Sequence, residues 1–258
     1  TSRLISGLVG MVAALLAACG RSEPPPGAPA AGPAPKIPAT SRAPGGPPDV
    51  VLITIDTLRY DATGFSKAGN VETPSFDRLA SEGREFPFAH AHAVTTLPSH
   101  ASLLTGLYPY QHGIRDNAGF VLRDDVPSIA TILKEKGYAT GAFVSAFTLD
   151  GRFGLKRGFD VYDDRCEGFS GNPSTLDERP GEKTVELARA WWAAHADVPR
   201  LLWVHLFAPH FPYAPVEPFR TRYAQAPYYG EAALADEQIS PLVLDLEGER
   251  GSRPVVVL

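Results

Sequence analysis

Cysteine is almost absent from this chain of 258 residues: only Cys19 and Cys166 occur. There is no C-x-x-C pair and no Cys/His cluster, so a structural zinc site is not expected. Positive charge is not in excess. Twenty-four Lys and Arg face 29 Asp and Glu, for a formal net charge of −5. That balance gives no electrostatic reason to expect nucleic acid as a partner. The N-terminal apolar run, which ends at Leu16, is too short for a comfortable membrane span. No internal repeat is evident. What is present is 44% apolar residues, enough for one sizeable α/β core in part of the chain.

The first 19 residues have the form of a secretory signal, with Arg3 followed by the apolar run. The tetrapeptide Leu16-Ala17-Ala18-Cys19 resembles a bacterial lipobox. That resemblance implies cleavage before Cys19 and lipid attachment to its sulfur. Two or more acyl chains would hold the protein stably on a membrane. Gly20 gives no sign of an inner-membrane retention signal. The expected location is the bacterial cell envelope, lipid-anchored and facing the periplasm or the exterior. Cys166 is then an incidental thiol. Residues 20–48 form a Pro/Ala/Gly-rich linker, with ten prolines between Pro24 and Pro48. It lacks a periodic apolar face and reads as an extended tether of about 3 Å per residue.

The texture changes at Asp49. "VVLITID" is a buried parallel strand with Asp56 at its carboxyl end. A helix starts at Thr73-Pro74 and stops at Gly83, and "EFPFAHAH" reads as a short strand. A further helix runs from Pro98 to Leu104 and ends at Gly106. "VPSIATILKEKG" predicts an amphipathic helix with Ile129, Ile132 and Leu133 inward. "YATGAFVSAF" and "RLLWVHLF" are strands, and "GEKTVELARAWWAAH" is the helix between them, with Trp191 and Trp192 divided between packing and surface. "EAALADEQISPLVLDLEGERG" is a helix with Pro241 inside it. "PVVVL" is a buried strand, and both chain ends are expected to be cuts. This alternation predicts an α/β fold, a mostly parallel sheet with helices on both faces. Sites in such sheets lie beyond the carboxyl ends of the strands. Asp56, Thr96, His205 and His210 all fall toward that edge. Thr96 is open to two readings, a helix N-cap or a nucleophile on an anion-binding helix end.

Six fragments carry a resemblance: "VVLITIDTLRYD", "TPSFDRLASEG", "TTLPSHASLLTGLYPYQHGIRDN", "GYATGAFVS", "GFDVYDD" and "HLFAPHFPY". Their order and spacing resemble the sulfatase family of the alkaline phosphatase superfamily, over nearly all of residues 49–258. The resemblance implies the N-terminal part of a sulfatase-like catalytic domain and a metal-dependent hydrolase of sulfate, phosphate or phosphonate esters. It makes Asp56 a metal ligand, with Thr57 where the family often has a second aspartate. It makes Thr96 the nucleophile and a ligand of the same cation, calcium foremost, with manganese or zinc as alternatives. Ser99 matches the motif serine, and His100 replaces the motif arginine. Asn117 resembles an asparagine aimed at a substrate oxygen. His210 matches a histidine that contacts the ester. Ser145-Ala146-Phe147 stands where typical members have Lys-Trp-His. His205 reads as strand or as support behind the site, and His112 as either structural or functional.

Threonine cannot mature to the family's aldehyde, so its hydroxyl itself must attack. The family's second Asp-His ligand pair follows a strand like "PVVVL", and Leu258 ends the chain. These 258 residues are therefore expected to bind metal poorly and to be nearly inactive. The alternative is a non-catalytic surface lipoprotein that binds anionic glycans or lipids. Transfer of a phospho-headgroup shares the nucleophile but usually accompanies several membrane spans.

Overall fold

The computed structural model describes residues 46–166, 178–248 and 254–258, all within the compact unit Thr40–Leu258. The signal segment, Cys19 and the tether as far as residue 45 lie outside the described residues. Five strands form one sheet: β1 (Val50–Ile55), β2 (Ala139–Val144), β3 (Val161–Asp163), β4 (Arg200–Leu206) and β5 (Val255–Val257). Their order is β3-β2-β4-β1-β5 and every pairing is parallel. The continuous apolar runs of β1 and β4 demand cover on both faces, and β4 lies in the centre with every residue buried.

Period-two alternation divides the side chains between two cores. Val51 and Ile53 of β1, with Leu202, Val204 and Leu206 of β4, pack against α1 (Pro74–Glu82), α5 (Gly181–Ala194) and α7 (Pro227–Gly248). Leu201 and Trp203 face the other way, toward α2 (Thr96–Thr105) and α4 (Ile129–Glu135). The same alternation assigns Asp56 and His205 to the α2 face. Short helices α3 (Pro109–His112) and α6 (Phe219–Arg222) complete the described α-helices.

Gly141 of β2 faces α5. A Cβ there would lie 2.7 Å from Cε2 of Trp191. Gly141→Ala should therefore cost about 1–3 kcal/mol by overpacking, read as a lower urea midpoint with an unchanged slope.

Asp236 of α7 is 1% exposed and accepts the N–H groups of Ser75 (3.1 Å) and Phe76 (2.7 Å) at the start of α1. Burial raises its carboxyl to about 6, against those two hydrogen bonds. The folded group thus holds its proton more tightly than the unfolded one. Its stabilising contribution is full below about pH 4 and is lost as pH rises through about 6. Wild type should lose on the order of 3 kcal/mol relative to Asp236→Asn across that window. Urea denaturation of both proteins at several pH values measures the difference.

Several expectations need correction. "EFPFAHAH" is not a strand. Pro87 removes a ladder donor between two exposed phenylalanines, Phe86 at 68% and Phe88 at 86%. In α4 the buried residue is Ala130, while Ile129 and Ile132 are exposed. The loop at Gly158 crosses that helix backbone to backbone; a Cβ on Gly158 would sit 2.4 Å from the Thr131 nitrogen. Only a small side chain fits under such a crossing. Trp191 and Trp192 are both buried. β5 is an edge strand beside β1, with Val255 and Val257 half-exposed. The last long helix begins at Pro227, earlier than its apolar pattern indicates.

Candidate active site

β1 delivers Asp56 to the carboxyl edge of the sheet. The strand pairs in register with β4 as far as Ile55 and Leu206, and the Asp56 N–H donates to the Leu206 carbonyl at 2.9 Å. The chain then turns sharply: Thr57 has φ 55°, an uncommon conformation for a β-branched residue. Tyr228 of α7 holds this turn. Its hydroxyl donates to the Thr57 carbonyl (2.8 Å) and accepts the Arg59 N–H (2.8 Å). The strain therefore sits beside the one carboxylate the sequence singles out, as strain often does at functional positions.

α2 brings Thr96 to the same place. The N-cap residue is Thr95, whose side chain makes no capping bond. Thr96 is the first helical residue, and its hydroxyl donates to Asp56 Oδ2 at 3.1 Å. The bland reading of Thr96 as a helix cap is thus replaced by a contact between two segments 40 residues apart.

The first turn of α2 is less open to anions than its sequence indicates. The Leu97 N–H is taken by Asn117 Oδ1 at 2.8 Å, Pro98 has no N–H, and Ser99 donates to the Thr95 carbonyl at 3.1 Å. Asn117 is therefore at the site, with its carbonyl committed to the helix and its NH2 group left as the donor. His112 sets up that return of the chain. It is fully buried, accepts the Ile114 N–H at Nδ1 (3.1 Å) and so donates from Nε2 to Ser102 Oγ (3.0 Å). Burial lowers its pKa, against a backbone hydrogen bond. Ser99 is half-buried in the same first turn as Thr96.

His100 does not reach outward as a substrate contact. It is buried, with Nδ1 donating to the Thr96 carbonyl (2.8 Å) and its ring packed edge-on to His205 and tilted on Trp203. The motif arginine it replaces carries a long charged side chain; a shorter imidazole folds back into the core.

His210 lies on the loop that leaves the carboxyl end of β4. Its ring stacks on Phe207, and Nδ1 donates to the Phe211 carbonyl at 2.7 Å. Glu178 stands near it; burial holds that carboxyl above the usual range, and the charge of His210 partly offsets this. Ala146 bridges to Glu178 just past the end of β2.

Arg179, which no motif marks, is buried at this edge. It is bound by Asp163 (2.6 Å), the Val144 carbonyl (3.0 Å) and Thr184 (2.8 Å). Its charge is committed to the protein interior. Desolvation raises the Asp163 carboxyl, but hydrogen bonds from Arg165 and Arg179 outweigh it and leave the pKa lowered.

Among the described residues no group of three or more His, Cys, Asp or Glu could hold a metal ion. Two oxygens can still share one. Neighbouring ligands on an octahedral cation with bonds of about 2.1–2.4 Å lie about 3.0–3.4 Å apart. The Asp56–Thr96 separation of 3.1 Å fits that spacing.

The family model for sulfatases matches residues 48–258. An N-acetylgalactosamine-6-O-sulfatase of Bacteroides thetaiotaomicron is 38% identical over 98 residues, 36% of this chain and 19% of that protein. An ulvan-active sulfatase of Formosa agariphila is 28% identical over 242 residues, 78% of this chain and 47% of that protein. The chain thus spans less than half the length of these curated relatives. In fold it is similar to the phosphonate monoester hydrolase of Agrobacterium radiobacter, with a TM-score of 0.65 at 18% identity over 81% of this chain and 61% of that one. A match across the whole strand-helix alternation, with Asp56 and Thr96 joined at its carboxyl edge, is what the six fragments led one to expect: the chain belongs to the sulfatase family of the alkaline phosphatase superfamily.

Proposed function

We propose that this protein is a metal-dependent hydrolase of anionic esters in which Thr96 is the nucleophile. The observation that carries the reading is the hydrogen bond from Thr96 Oγ1 to Asp56 Oδ2. It turns a lone pair of the hydroxyl outward while the carboxylate takes up its hydrogen. Asp56 and Thr96 would hold a divalent cation, calcium foremost, with manganese or zinc as alternatives. Such an ion would lower the pKa of the hydroxyl and offset the negative charge of the ester.

Thr96 Oγ1 releases its proton to water and forms a bond to sulfur or phosphorus, and the bond to the departing alcohol breaks. His210, protonated at Nε2, would give its proton to that alcohol. The Asn117 NH2 would hold a non-bridging oxygen. Water then cleaves the threonine ester and returns the free hydroxyl. An unmodified threonine suits phosphate and phosphonate esters at least as well as sulfates. The family name and the sulfatases among the relatives support sulfate. The fold neighbour that acts on phosphonate monoesters supports the other class.

The test is a panel of aryl sulfate, phosphate diester and phosphonate monoester, each with calcium, manganese or zinc, on the full-length protein. Mass spectrometry of the same sample should find threonine at 96 without an aldehyde. Hydrolysis of none of the three would favour the second reading, a non-catalytic surface lipoprotein that binds anionic glycans or lipids. The inward turn of His100, which removes a contact to a reacting ester, supports the non-catalytic part of that reading. Under either one, Cys19 carries the lipid and the protein works at the bacterial cell envelope, facing the periplasm or exterior. The residues described here supply one carboxylate and one hydroxyl, so alone they should hold calcium or manganese weakly by calorimetry.

A further inference from the structure

Behind the Asp56–Thr96 pair three imidazole nitrogens are buried without a hydrogen-bond partner among the described residues: His100 Nε2, His205 Nδ1 and His205 Nε2. His205 is 0% exposed at the centre of the sheet. An apolar side chain would fill that place at less cost, since unpaired buried polar atoms are expensive. The two rings pack edge to face with centroids 4.9 Å apart. His205 Nε2 lies 3.8 Å from Asp56 Oδ2.

These contacts close a circuit. Asp56 Oδ2 accepts from Thr96 Oγ1, the Thr96 carbonyl accepts from His100 Nδ1, the His100 ring abuts His205, and His205 faces Asp56. We propose that His205 is a positioning residue for the reactive pair, holding the Asp56 carboxylate in place through Nε2–H with His100 as its backstop. The inference rests on the reading of Asp56 and Thr96 as that pair.

The tautomers follow from chemistry. A carbonyl only accepts, so His100 carries its hydrogen on Nδ1 and presents a bare lone pair at Nε2. A carboxylate also only accepts, so His205 carries its single hydrogen on Nε2. Burial lowers both pKa values. For His205 the neighbouring His100 adds to the effect. At 3.8 Å the contact to Asp56 is beyond a direct hydrogen bond. A movement of less than an ångström closes it. Carboxylates that ligate metals are commonly held by such outer partners, and losing one weakens metal binding about 10–100-fold.

The test has two arms. Long-range proton–nitrogen NMR on the wild-type full-length protein should show His205 as the Nε2–H tautomer, with a nitrogen shift that moves in Asp56→Asn. An Nδ1–H tautomer would overturn the proposal without any variant at the histidine. Manganese titration should then show His205→Phe binding about 10–100-fold more weakly, although it melts no lower than wild type because unpaired nitrogens are gone. His205→Gln, which restores an N–H near the Nε2 position, should recover most of the affinity. If His205→Phe binds manganese like wild type while Asp56→Asn does not, the positioning role is wrong and the site stands. If Asp56→Asn also binds like wild type, the site itself is wrong and this inference falls with it.

Discussion

Thr96→Ala should lower kcat/KM of the full-length protein by at least about 1,000-fold, and Thr96→Ser should recover it to within about tenfold. The argument is geometric. The alanine variant keeps α2, Asn117 and Asp56 but removes the oxygen that would attack. Loss of a nucleophile in a covalent mechanism typically costs about 10³–10⁶ in rate. Its cost to folding is small by comparison. One hydrogen bond to Asp56 is worth about 1–3 kcal/mol, so the variant should still be folded by far-ultraviolet circular dichroism. Serine keeps the hydroxyl and loses only a methyl group. Wild-type-like turnover by Thr96→Ala, on whichever ester the protein prefers, would remove Thr96 from the mechanism and return it to being a structural helix residue.

Asp49→Ala should be strongly destabilising, and it lies at the opposite edge of the sheet. Asp49 and Arg200 are each about 2% or less exposed. The guanidinium meets Asp49 Oδ2 at 2.7 Å and the Trp192 carbonyl at 2.9 Å, and it lies 3.6 Å from the centroid of the Trp192 ring. The other carboxylate oxygen accepts the Arg200 backbone N–H at 2.8 Å. This pair ties the residue just before β1 to the first residue of β4. Removing one partner strands a buried charge, at about 3–5 kcal/mol. For a domain of this size that means a fall in melting temperature of about 6–20 °C. Activity per folded molecule should be unchanged, because the carboxyl edge is untouched. A loss below about 1 kcal/mol would show that water or a neighbouring group replaces the carboxylate.

The contrast between these two edges shows how the sequence could be read. β-branched runs ending in charge, as at Asp56, identify a strand and its functional end, because buried parallel strands must be apolar and their sites lie at the carboxyl edge. Helices α1, α2, α5 and α7 were legible from their apolar spacing and the glycines or prolines at their ends. The segment at Phe86 and Phe88 misleads, because two aromatics beside a proline mimic a strand that has no partner to pair with. Ile129 and Ile132 mislead for another reason: a loop backbone at Gly158 occupies the space their size predicts for them. Arg179 and the Asp49–Arg200 pair were invisible, since a charged residue in the sequence carries no mark of where its partner folds.

The sequence by itself determined the fold class and the family, and it marked Asp56, Thr96 and Asn117 as candidates, because hydrophobic periodicity and short motifs are local properties. Only the tertiary structure decided that Thr96 bonds to Asp56, that Asn117 closes the helix end, that His100 turns inward, and that His205 stands behind the carboxylate. Each is a contact between segments distant in the chain, fixed by strand register and helix packing, and no local pattern encodes where a side chain will point once those segments meet.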